Sequence, residues 1–183
     1  MRLLSILAVL IGAAETSLAS NPAPISLQSL AATFPPKAHQ DAGAIEAIRN
    51  TLALYPFAID GKDFAALSSV FAEDAVANYS APLNVLTPLS TIESVLSANL
   101  ACVTTQHQFG TQLIRLDSPT TAHSVTYYRA AHFGTGNLTD QVATAYGQYQ
   151  DQWTRQRDGT WRIVPRNLVY MGPIIGNVAV FLC

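Results

Sequence analysis

The strongest constraint on this chain is a change of hydrophobic period at Val103. Upstream, apolar residues recur at helical spacing. Downstream, four long segments, roughly 103–116, 122–133, 142–157 and 160–171, are rich in Thr, Val, Tyr and Gln and read as strands. They are separated by Asp117-Ser118-Pro119, by Gly134 to Asn137, and by Asp158-Gly159, a hairpin signal. Helices first and long strands afterwards predict an α+β fold, with helices packed on one face of a curved antiparallel sheet.

The upstream half divides further. Asp41 caps a helix whose apolar stripe is Ile45, Ile48, Leu52 and Tyr55, and Pro56 is expected to kink or end it soon after. Gly61 punctuates, and a second short helix runs through Phe64, Leu67, Val70 and Phe71. Ala75 to Ala81 reads as a strand. Ser90-Thr91-Ile92-Glu93 reads as a capping box that opens a third helix toward Leu100. At 183 residues the chain favours one domain with a sizeable core. Only 12% of residues are charged, the net charge is −2 and no basic run occurs, so no nucleic-acid partner is expected.

The ends carry different signals. Arg2, an apolar run from Leu3 to Ala14, and Ser17-Leu18-Ala19 have the form of a cleavable signal peptide over 1–19. The run is too short to span a bilayer, so secretion, or at least the secretory pathway, is expected, with no stable membrane span. Residues 20–40 form a lead segment with Pro22, Pro24, Pro35 and Pro36, and the domain proper is read as 41–171. Asn78-Tyr79-Ser80 and Asn137-Leu138-Thr139 are glycosylation sequons, Asn137 being the better placed, in a glycine turn. Cys102 and Cys183 are the only cysteines, and an oxidising compartment allows one disulfide between them; two free thiols are the alternative. The tail 172–183 is almost wholly apolar. It either closes a pocket, with Phe181 as lid, or packs as an ordinary hydrophobic end.

Two histidines stand out for chemistry, because imidazole titrates nearest neutrality. On the strand from Val103, the odd positions Val103, Thr105, His107, Phe109, Thr111 and Leu113 form the more apolar face, which points His107 inward. His132 follows 25 residues later, sharing a face with Tyr128 and Ala130, and parity alone does not decide whether that face is buried. His123 reads as surface and His39 as uninvolved.

The run Thr105-Gln106-His107, the step to His132, Asp60 in Ala58-Ile59-Asp60-Gly61-Lys62-Asp63-Phe64, Tyr79, Trp153 and Asp158-Gly159-Thr160-Trp161 together resemble scytalone dehydratase and its SnoaL-like relatives. The resemblance spans about residues 41–171. It implies an NTF2-like cone-shaped barrel with a pocket between sheet and helices. It also implies a cofactor-free dehydratase, isomerase or cyclase acting on a carbonyl-bearing polyketide or terpenoid-type compound. On that resemblance His107 and His132 would handle protons, Asp60 would orient an imidazole, and Tyr79 would polarise the carbonyl. Gln148 and Gln150 fall where relatives hold substrate, with Phe109 and Tyr128 expected beside them. Ile59 stands where the dehydratase has a second tyrosine, so a different substrate is expected. The runner-up is a non-catalytic protein that holds a small apolar ligand in the same pocket, and a homo-oligomer is compatible with either. No nucleophile elbow, phosphate loop or metal-binding motif is present.

Overall fold

The structure is a computed structural model that describes residues 21–37 and 39–182; the predicted leader and Cys183 lie outside the described residues. Its elements are α1 (Leu27–Thr33), α2 (Ala42–Asp60), a 3₁₀ turn (Phe64–Ser69), β1 (Phe71–Asn78), β2 (Val85–Leu86), α3 (Leu89–Asn99), β3 (Val103–Leu116), β4 (Thr121–Gly134), β5 (Val142–Arg155), β6 (Trp161–Tyr170) and β7 (Ile175–Gly176). A last 3₁₀ turn covers Val178–Phe181. The strands form one curved, unclosed sheet in the order β2-β1-β6-β5-β4-β3, with β7 on β5. Only β1 and β6 run parallel; the other pairs are antiparallel. This is the α+β architecture expected from the period change, with the curved sheet of the NTF2-like type that the resemblance implies.

Helix α2 begins where Asp41 accepts a hydrogen bond from the Ala44 N–H at 3.1 Å. It buries Ile48, Leu52, Tyr55, Ala58 and Ile59, a stripe at helical spacing that lies on the sheet. Ile92 and Leu96 of α3 complete the core with Trp153 and Ile163. Pro56 sits inside α2, which ends four residues later at Asp60. The expected capping box does not form: α3 starts at Leu89 behind Pro88 and has no side-chain cap. The second short helix is a 3₁₀ turn, and β1 starts at Phe71, four residues before the predicted strand.

Two bulges set which residues face inward. In β3 the pairing skips between Phe109 and Gln112, with Gly110 and Thr111 opposite Tyr127 alone. The odd face is therefore inward only as far as Phe109; beyond the bulge Leu113 is exposed and Ile114 buried. In β6 the pairing with β5 skips between Asp151 and Trp153, with Val164 and Pro165 as the extra residues. Proline inside a central strand is tolerated at such a bulge because no ladder donor is needed there. The shift moves the inward parity of β6 from Trp161 and Ile163 to Arg166, Leu168 and Tyr170.

The lead segment runs over the surface of the domain. It is tied to the outer face of the sheet: Ile25 exchanges two 2.7 Å hydrogen bonds with the Gln150 side chain, and the Arg115 guanidinium stacks over Phe34 at 4.7 Å. His123, expected at the surface, is partly covered there by Phe34 and bonded to Asp117. No helix among the described residues is long and apolar enough to cross a membrane.

Candidate active site

A cavity of about 310 Å³ opens between the sheet's inner face and helices α2 and α3. Its wall is mostly apolar, formed by residues such as Leu96, Leu100, Ala130, Ala145 and Leu168. The polar groups on it are two histidines, Asn99 and the phenols Tyr55, Tyr79, Tyr128, Tyr149 and Tyr170. Among the described residues no charged side chain lines the wall, so their charges act on a ligand only from behind the first layer.

Asp60 is the last residue of α2, where the helix dipole disfavours an anion. Three donors compensate: the Thr105 hydroxyl at 2.8 Å, the His107 backbone N–H at 2.8 Å and the His107 ring Nδ1 at 2.7 Å. Burial works to raise the Asp60 pKa, but the bonds from His107 and Thr105 outweigh it and hold the carboxyl below its usual range. A carboxylate can only accept, so Nδ1 carries the hydrogen and Nε2 of the neutral ring is left as the proton acceptor.

His132 is buried at 8% exposure, and its ring centroid lies 6.2 Å from that of His107. Its Nδ1 donates to the Ala143 carbonyl at 3.2 Å. Burial pushes its pKa down to about 4, and the neighbouring His107 adds to the depression. The two histidines thus differ: His107 has a counter-anion and His132 has only a carbonyl. The depressed value has a consequence for stability. Its folded pKa lies below the usual 6.5, so the unfolded chain binds the extra proton first. Stability contributed by neutral His132 is complete above pH 6.5 and is lost as pH falls toward 4. Urea midpoints measured across that window should fall with pH, and His132→Gln should flatten the slope; an unchanged slope would refute the assignment.

The Tyr55 and Tyr79 hydroxyls lie 3.3 Å apart. The Tyr55 and His107 rings meet edge to face with centroids 6.0 Å apart. Burial raises the Tyr79 phenol well above its ordinary pKa, which keeps it protonated as a hydrogen-bond donor. Tyr128 stacks on Tyr149 with centroids 4.5 Å apart. Gly147 permits this, because a Cβ there would come within 2.7 Å of the Tyr128 ring.

The fold brings together His107, His132, Asp60, Tyr79 and Tyr128. It does not bring in the other three predicted ligand contacts. Gln148 and Gln150 lie on the even, outward face of β5, opposite Tyr149. Gln150 is taken by the lead segment, and Gln148 is buried with its Oε1 unpartnered. The inward parity of β5 is the odd one, which carries Ala143, Ala145, Tyr149 and Trp153. Phe109 points inward but sits one layer back, its ring edge on Tyr149 at 6.0 Å. Phe181 does reach the cavity, 4.8 Å from His132, beside Val178 and Ile174. Cys102 is disulfide-bonded; Cys183, its expected partner, lies outside the described residues. Asn137 is exposed in a 3₁₀ turn, whereas Asn78 is half-buried and pairs with strands on both sides.

Several residues escaped the sequence reading. In the sequence Tyr55 reads only as part of the apolar stripe of a helix. Lys62 follows α2 with φ +59°, and its Nζ is buried without a hydrogen-bond partner; burial lowers its pKa against the pull of Asp60. Arg166 is fully buried and paired with Asp151 through two bonds of 2.7 and 2.9 Å. The signal for Arg166 was Pro165 beside it, which demands a bulge in a central strand. Among the described residues, no cluster of three or more His, Cys, Asp or Glu could hold a metal ion.

Similar folds occur among solved structures. A candidate aromatic ring hydroxylase from Novosphingobium aromaticivorans is 20% identical with a TM-score of 0.69, the match covering 78% of this chain and 99% of that one. A candidate scytalone dehydratase from the same organism is 24% identical with a TM-score of 0.63, over 73% and 85%. A type 2 hexachlorocyclohexane dehydrochlorinase is 14% identical with a TM-score of 0.60, over 74% and 88%. At these identities the likeness shows the fold alone. No curated protein matches the sequence. The SnoaL-like domain profile matches residues 40–167, most of the chain, and the protein therefore belongs to the SnoaL-like domain family.

Proposed function

We propose that the protein is a secreted or secretory-pathway, cofactor-free enzyme that dehydrates, isomerises or cyclises a carbonyl-bearing small molecule of polyketide or terpenoid type. The observation that carries this reading is that His107, held from behind by Asp60, lines the same apolar cavity as Tyr55 and Tyr79. Two of the similar structures are named for eliminations, a dehydratase and a dehydrochlorinase.

The geometry suits one sequence of steps. His107 Nε2 takes a proton from the carbon beside the carbonyl, and Asp60 offsets the imidazolium charge. The C–H electrons move to form an enolate, whose oxygen is held by the phenols in a mostly apolar cavity. The enolate re-forms the carbonyl and expels a β-hydroxyl, which leaves as water with the proton returned by His107. His132 stays neutral, because a second cation 6.2 Å from the first has no counter-anion of its own, and it orients the ligand as a hydrogen-bond acceptor.

The test compares metabolites of cells producing the wild type and His132→Ala, with the protein sought in the medium. A product lost in the variant and a secreted chain starting at Ser20 are the expected results. Identical metabolite profiles, with ligand retained by both proteins, would replace the enzyme reading with that of a ligand carrier. A chain kept in the cell with Met1 intact would remove the secretory part.

A further inference from the structure

The Arg166–Asp151 pair is fully buried and lies behind the cavity wall, not on it. As a device for stability it is a poor choice. Two desolvated charges commonly return no more than a well-packed apolar pair would. The cost here is larger still, because Arg166 Nη1 is buried with no hydrogen-bond partner.

Its surroundings give it another use. Asp151 engages Nε and Nη2, which leaves the Nη1 edge unengaged by the carboxylate. The guanidinium lies 4.4 Å from the Tyr55 ring centroid, 4.2 Å from Tyr149 and 5.0 Å from Phe71. It interacts electrostatically with both Tyr79 and Tyr55, the two phenols whose hydroxyls meet in the cavity. The strand register explains the placement: Arg166 pairs with Asp151 on one side and with Ala77, two residues before Tyr79, on the other.

We propose that Arg166 is a positioning residue that makes the Tyr55–Tyr79 hydroxyl pair a binding site for an oxygen carrying negative charge, with Asp151 holding the guanidinium in place. A fixed cation in a dry interior acts more strongly on developing charge than one in water, and it needs no reorganisation when the charge appears. Neutral phenols alone would bind a carbonyl. With the cation behind them they bind the enolate or phenolate form better than the neutral form. This deepens the proposed function and rests on the same cavity, but it makes a claim about binding that does not require turnover.

The probe is 4-nitrophenol, whose ionisation is read from its absorbance. Bound to the wild type it should ionise at least about one pH unit lower than when free, a preference of about tenfold for the anion. Arg166→Met/Asp151→Leu, which removes both charges and leaves neither orphaned, should abolish that preference, and Tyr79→Phe should weaken it. The inference is overturned if the wild type fails to bind the probe, if it binds both forms equally, or if the double variant keeps the preference. Should the double variant not fold, the wild-type and Tyr79→Phe titrations decide. His107→Ala separates the two readings. Full turnover in that variant would sink the acid–base mechanism, while an intact anion preference would leave the role of Arg166 standing.

Discussion

Replacing Asp60 with asparagine is expected to lower turnover by ~10²–10⁴-fold while leaving ligand affinity nearly unchanged. The carboxylate accepts three hydrogen bonds, two of them from His107. Asparagine has one acceptor oxygen where aspartate has two, and it carries no charge to offset the imidazolium. His107 would then lose its fixed orientation and the partner that lets it hold a proton. The apolar wall that supplies most of the binding surface is untouched, so the loss falls on kcat rather than on KM. His107→Ala should cost as much. Asp60→Asn/His107→Ala should be no worse than His107→Ala alone, because the two residues act as a unit. Rates on the product found by metabolite comparison would check this. Additive losses, or an active Asp60→Asn variant, would show that the pair is structural.

The largest effect on stability is expected from breaking the buried ion pair on one side only. Arg166→Met would leave the Asp151 carboxylate at 1% exposure with no counter-charge, a change that typically costs about 3–5 kcal/mol. Burial already raises the Asp151 pKa, opposed by Arg166, so removing the cation would favour the protonated acid or local unfolding. Arg166→Met/Asp151→Leu should recover most of the loss, because it replaces both charges by apolar volume. Urea unfolding of the two variants measures the difference. Equal midpoints for the single variant and the wild type would mean that water reaches the pair.

These expectations rest on residues that were unequally legible. His107 could be placed inward from parity because the bulge in β3 lies beyond it, at Gly110 and Thr111. Leu113, on the same nominal face but past the bulge, turned outward. His132 was undecided because both faces of β4 carry apolar residues. The reason is now plain: the lead segment covers the outer side at Val125, so that face is apolar as well. Gln148 and Gln150 turn away from the cavity because a resemblance fixes parity on a strand only if it is in register to one residue. Tyr55 and Arg166 were missed because a helix stripe and a late strand give no local sign of what they will face.

The sequence by itself determined the main helices and long strands, their order and the family, since hydrophobic period, turn residues and motif spacing are local properties of the chain. It also named the four groups His107, His132, Asp60 and Tyr79. Only the tertiary structure decided which groups share a cavity, which are turned away, and which histidine has a counter-anion. The physical reason is that a one-residue bulge reverses every side chain after it, and that burial and counter-charge are set by distant segments packed together. His107 has Asp60 from the end of α2 as its partner, and His132 has only a carbonyl of β5.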